Sequence, residues 1–127
     1  MTSKEIAETT KHIIKAVVDC IAEKRYDCIE NYASFQENDS VELFREYMEG
    51  CLECNELSHI DRFGTPCNFF PNYIYHQISF YMYNSRKGFA VDYDLTTDGE
   101  INDFTLQMEF LFTDNGIKAY VSDVHIL

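Results

Sequence analysis

Bases are what this chain has least of: ten Lys and Arg stand against 22 Asp and Glu, a net charge of -12. A field of that sign repels phosphate backbones and anionic lipid surfaces, which argues against nucleic-acid and membrane partners. It steers a basic protein inward, although solubility alone is the commoner meaning of an acidic surface. No window approaches the roughly 20 consecutive apolar residues of a membrane span. Met1 to Glu8 lacks the basic start and apolar run of a signal peptide. There is no repeat, no low-complexity tract and no linker, so the 127 residues read as one domain, with a radius of gyration of roughly 14 Å. The five cysteines, Cys20, Cys28, Cys51, Cys54 and Cys67, form an odd set with no secreted framework, which is the usage of a reducing cytoplasm.

What is abundant is apolar and aromatic: 46% of the chain is hydrophobic, with ten Phe and nine Tyr, enough for one core without staples. Thr2 followed by Glu5 is a capping-box pattern opening a helix from Ser3 to Lys24. Its stripe of Ile6, Thr10, Ile13, Val17, Cys20 and Ile21 recurs at three- and four-residue steps. Arg25 to Phe35 reads as a second helix, burying Tyr26, Ile29, Tyr32 and Ala33. Asp39 with Glu42 is expected to cap a third, whose stripe is Val41, Phe44, Met48, Cys51 and Leu52. Leu57 to Ile60 is expected to be a short edge strand, and Gly64-Thr65-Pro66 a turn.

From Tyr73 onward the period changes to two, the mark of strands with distinct faces. Ile74, His76, Ile78, Phe80 and Met82 alternate with Tyr73, Tyr75, Gln77, Ser79, Tyr81 and Tyr83. Phe89, Val91, Tyr93 and Leu95 alternate with Ala90, Asp92, Asp94 and Thr96, and Asp98-Gly99 marks a hairpin turn. Phe104, Leu106, Met108, Phe110 and Phe112 face away from Asp103, Thr105, Gln107 and Glu109. Asp114-Asn115-Gly116 then turns the chain into a last strand, Ile117 to Ile126. The fold class expected is α+β, three N-terminal helices packed on a curved antiparallel sheet of four to five strands.

The order of elements, with Ile13-Ile14-Lys15-Ala16-Val17-Val18, Lys24-Arg25-Tyr26-Asp27-Cys28-Ile29 and the closing strands Phe104 to Phe112 and Tyr120 to Leu127, resembles the nuclear-transport-factor-2-like superfamily. The ending Val121-Ser122-Asp123-Val124-His125-Ile126-Leu127 looks like the ends of small bacterial domains, some of which act as immunity proteins. The resemblance implies a cone-shaped cystatin-like fold, a pocket between the concave sheet face and the helices, and a homodimer formed through the sheet. Because that superfamily hosts enzymes and binding modules alike, layout does not select an activity.

Two sites compete. His76 is the ionisable intruder on the apolar strand face, and with Tyr93 and the neighbouring Asp61 and Arg62 it would line a ligand pocket. The bland alternative makes His76 a satisfied core-edge histidine, Tyr93 a core phenol, and Asp61 with Arg62 a solvated loop pair. On the other face Tyr73, Tyr75, Tyr81 and Tyr83, interleaved with Gln107 and Glu109, suit a protein contact, or else pair across strands in solvent. Cys51-Leu52-Glu53-Cys54 lacks a second paired motif for zinc and sits at the wrong helix end for a redox pair, so no metal or cofactor is expected. Ser58-His59-Ile60-Asp61 holds nucleophile, base and acid types, but adjacency is not triad geometry. The leading expectation is a non-enzymatic cytoplasmic binding domain, a homodimer that occludes a basic partner. The alternative is an isomerase- or dehydratase-like enzyme using the pocket.

Overall fold

A computed structural model describes residues 2–66 and 77–126. His76, Tyr73, Tyr75 and Cys67 lie outside the described residues. Helix α1, Ser3–Ala22, opens as expected, with Thr2 Oγ1 accepting from the Glu5 N–H at 3.1 Å. It stops at Ala22, just past the end of the apolar stripe at Ile21 and two residues before the expected end at Lys24. Lys24 takes a left-handed φ of 57°, the Lys24 N–H donates to Ile21 O, and the Arg25 N–H donates to Cys20 O. That pair of bonds is a Schellman motif, closing orphan carbonyls with a lysine where glycine is usual.

The expected second helix is instead a 3₁₀ helix, Tyr26–Asn31, which buries Tyr26 and Ile29 and gives way to a two-residue strand β1, Ser34–Phe35. Helix α2, Val41–Cys54, follows. Its cap is Ser40 rather than Asp39: Ser40 Oγ accepts from the Leu43 N–H at 3.2 Å, while the Asp39 carboxylate accepts from the Ser40 N–H. A second Schellman motif ends it, with Glu56 at φ 56° and the Leu57 N–H donating to Leu52 O. Leu57 is thereby spent on the helix end, and 57–60 is not the edge strand expected from its composition.

The remaining strands are β2 (Ile78–Met82), β3 (Gly88–Thr97), β4 (Glu100–Thr113) and β5 (Gly116–Ile126). Together they form one unclosed, curved sheet of order β1-β5-β4-β3-β2, antiparallel throughout except that β1 runs parallel to β5. The β3–β4 turn is Asp98-Gly99 as expected, both residues at positive φ, the requirement of a type I′ hairpin. An irregularity at Asp94/Thr96 and a bulge at Gln107/Met108 break the register, the second leaving Ser122 as an extra residue on β5.

One sheet face meets the helices. Ile14, Val17, Val18 and Ile21 of α1 and Phe44, Met48 and Leu52 of α2 share a single buried core with Val91, Leu95, Leu106, Met108, Phe110 and Val121. Burial of this kind contributes about 1.5–3 kcal/mol per large aliphatic or aromatic side chain. Phe80, assigned to that core by its alternation, is 61% exposed. The reason is position: α2 is tied over β5, where the Tyr47 hydroxyl donates to Val124 O, and β2 lies three strands away. No described helix is long and apolar enough to cross a membrane.

Candidate functional site

The sheet face turned away from the helices carries the densest polar chemistry. Strand pairing aligns Ser79, Asp92, Gln107 and Asp123 in one row across β2 to β5. Neighbouring rows align Tyr81, Ala90, Glu109 and Tyr120, and Asp94, Thr105 and His125. Directly opposed residues of a ladder share a face. Tyr81, Tyr83, Gln107 and Glu109, which the alternation grouped, are therefore brought together. Tyr81 stands exposed and the Tyr83 hydroxyl donates to Glu109 Oε2 at 2.6 Å. Burial and this carboxylate push the Tyr83 phenol up to about 12, so it stays a neutral donor.

Charge on this face is one-sided. Asp92, Asp94, Glu109 and Asp123 oppose one lysine, Lys118, whose ammonium sits 5.2 Å from the Tyr120 ring centre. Among the described residues no cation forms a salt bridge with Asp92, Glu109 or Asp123. Burial first, then the neighbouring Asp94 charge, raises the Asp92 pKa against the opposing pull of a Gln107 hydrogen bond and His125. The ionised form of this carboxylate is thus penalised, a cost that an incoming cation would relieve. Tyr120, Asp123 and His125 escape an alternation reading. The extra Ser122 shifts the parity of β5, so Tyr120 and Asp123 share a face despite their odd spacing.

Of the residues expected to line a pocket, His76 lies outside the described residues, and Tyr93, Asp61 and Arg62 each have partners of their own. Tyr93 is 3% exposed, its ring stacked on Phe63 at 5.1 Å and its hydroxyl accepting from the Gly64 N–H at 3.2 Å. Around it the helix-facing side of the sheet is packed with side chains. Asp61 and Arg62 do not pair with each other. Arg62 reaches back to α1, 2.5 Å from Glu23 and 3.5 Å from Asp19. It joins Lys15, Asp19, Glu23 and Arg25 along a cleft of about 390 Å³ between α1 and the 3₁₀ helix, where the charges largely neutralise one another.

Asp61 instead clamps the β3–β4 turn. Its carboxylate accepts from the Gly99 N–H (2.8 Å), the Thr96 hydroxyl (2.9 Å) and the Asp98 N–H (3.0 Å), with His59 Nε2 at 3.2 Å. Burial pushes this carboxyl up, but the donors outweigh it and its pKa ends below the ordinary 3.8. Ser58 Oγ lies 2.7 Å from His59 Nδ1, so serine, histidine and aspartate do form a hydrogen-bonded chain. His59, Asp61 and Asp98 also bring three ligand-type atoms within 4.8 Å of one another. The donors already on Asp61 give the cluster a structural use as a turn clamp. Cys51 and Cys54 occupy the last turn of α2, one buried and one exposed, with the paired thiols at the helix end that does not stabilise thiolates.

A family model described as a domain of unknown function, DUF7668, matches residues 18–127. No curated protein and no solved structure matches the chain.

Proposed function

The chain belongs to the DUF7668 family, a domain of unknown function, and from that premise we propose a non-enzymatic cytoplasmic binding domain that occludes a basic protein, in the manner of an immunity protein. The observation that carries this reading is the sheet face turned away from the helices, with Asp92, Glu109 and Asp123 free of salt bridges to described residues and flanked by Tyr81, Tyr83 and Tyr120. Tyrosines supply large, stiff contact area and the carboxylates steer encounter and register. The net charge of -12 extends the same field beyond the face. A packed helix–sheet interior around Tyr93 favours surface recognition over chemistry in an internal pocket. A long first helix, short helical pieces and a bulged, curved sheet support reading the layout as nuclear-transport-factor-2-like.

The test is capture of proteins encoded beside this one, using the wild type and a triple variant, Asp92→Asn, Glu109→Gln and Asp123→Asn. The expected result is one basic protein retained by the wild type and lost from the variant. Retention of none, or equal retention by both, would overturn the proposal.

A further inference from the structure

The two edges of the sheet are treated differently. At one edge the outer side of β5 is occupied by β1 and by the Tyr47 hydroxyl on Val124 O. At the other edge, β2 pairs only with β3, and no described strand lies on its outer side. Natural edges are usually blunted with lysine, proline or an inward charge, because an open row of N–H and C=O groups templates another strand. The sequence of β2, Ile78-Ser79-Phe80-Tyr81-Met82, has none of these.

The direction of the open groups follows from the ladder. The Asp94 N–H donates to Gln77 O and the Tyr83 N–H donates to Gly88 O, so pairs 77/94 and 83/88 are hydrogen-bonded ones. Antiparallel pairs alternate, which turns the N–H and C=O of Ile78, Phe80 and Met82 away from β3. These same residues carry the apolar side chains of the strand, with Phe80 at 61% and Met82 at 62% exposure. Backbone valence is therefore left open on all three residues, and exposed apolar surface on Phe80 and Met82, while Ile78 packs partly against the core.

We propose that β2 is a homodimer edge, on which a second copy of this chain adds its own β2 antiparallel about a two-fold axis at Phe80. That register is self-complementary: Phe80 faces its counterpart and Ile78 faces Met82 of the second copy, as an isologous contact demands. Charge favours a second copy over an unrelated strand. The β2–β3 hairpin is basic at its turn, Arg86-Lys87, and acidic at its far end, Asp92 and Asp94. Antiparallel addition sets the basic turn of each copy beside the acidic end of the other. The five-stranded sheet becomes a continuous one of twice that width, and two acidic faces merge into one. The inference stands independently of the basic-partner reading, since it uses the edge of the sheet and not its face.

Sedimentation equilibrium at tens of micromolar, with backbone amide exchange, tests it. The wild type is expected at twice 14.9 kDa, with the amides of Ile78, Phe80 and Met82 exchanging at least about tenfold more slowly than in a monomer. Phe80→Lys and Met82→Lys, both at exposed positions, are expected to keep the circular dichroism spectrum and lose the dimer. A monomeric wild type overturns the proposal, as does a dimer that survives both substitutions or one in which those three amides exchange freely.

Discussion

Asp61 carries more of the fold than a loop aspartate usually does. It gathers donors from Thr96, Asp98 and Gly99 and so fastens the chain after α2 to the β3–β4 turn. Asp61→Asn keeps the shape but replaces one acceptor oxygen with a donor facing an N–H. An equilibrium urea titration is expected to show a loss of about 2–3 kcal/mol, the scale of hydrogen bonds to a charged acceptor. The pH sign follows from the lowered pKa. Stability from Asp61 is fully present above the unfolded value near 3.8 and is lost as pH falls through the lower folded value. The variant is expected to flatten that acid limb. Asp92 has the opposite sign, because its folded pKa is raised. Its ionised form opposes folding above that raised value, and the penalty is relieved as pH falls through it. Asp92→Asn is accordingly expected to leave the free protein as stable at neutral pH, or slightly more so, while weakening partner capture. A marked loss of stability at neutral pH would contradict this electrostatic reading.

Elements here end where left-handed residues close them. Lys24 and Glu56 adopt a conformation that costs a side chain roughly 1–2 kcal/mol and glycine almost nothing. Glu56→Gly is expected to raise stability by about 1 kcal/mol in thermal or urea unfolding, with no change in the helix signal. Gly88, at the start of β3, is the reverse case. A Cβ there would collide with Phe110 O and lie 2.9 Å from a Leu111 methyl carbon, so Gly88→Ala is expected to cost more than about 2 kcal/mol. These same ends explain what the sequence left hidden. Alternation located β3 and β4, and the Thr2 cap opened α1, because each depends on side chains whose period is visible in one dimension. The 3₁₀ helix and β1 escaped it because two residues of strand, Ser34 and Phe35, are defined only by their partners Tyr120 and Val121. The tyrosine and acid face was half legible. Its β3 and β4 members follow from period two, whereas its β5 members depend on the bulge at Ser122.

At the scale of the whole molecule, the described residues offer an acidic sheet face, a strand edge at β2 with no described neighbour beyond it, and a packed core between sheet and helices. Steering by a net charge of -12 is screened over about 10 Å at 0.1 M salt. The association rate with a basic partner is therefore expected to fall as salt rises, while dissociation, governed by the tyrosines, changes little. The most direct measurement is an NMR titration of the labelled chain with its captured basic partner. The account expects the shifted amides to cluster at Tyr81, Asp92, Gln107, Glu109, Tyr120 and Asp123. Shifts confined to the α1 cleft around His12 and Arg62, with that face unchanged, would contradict it.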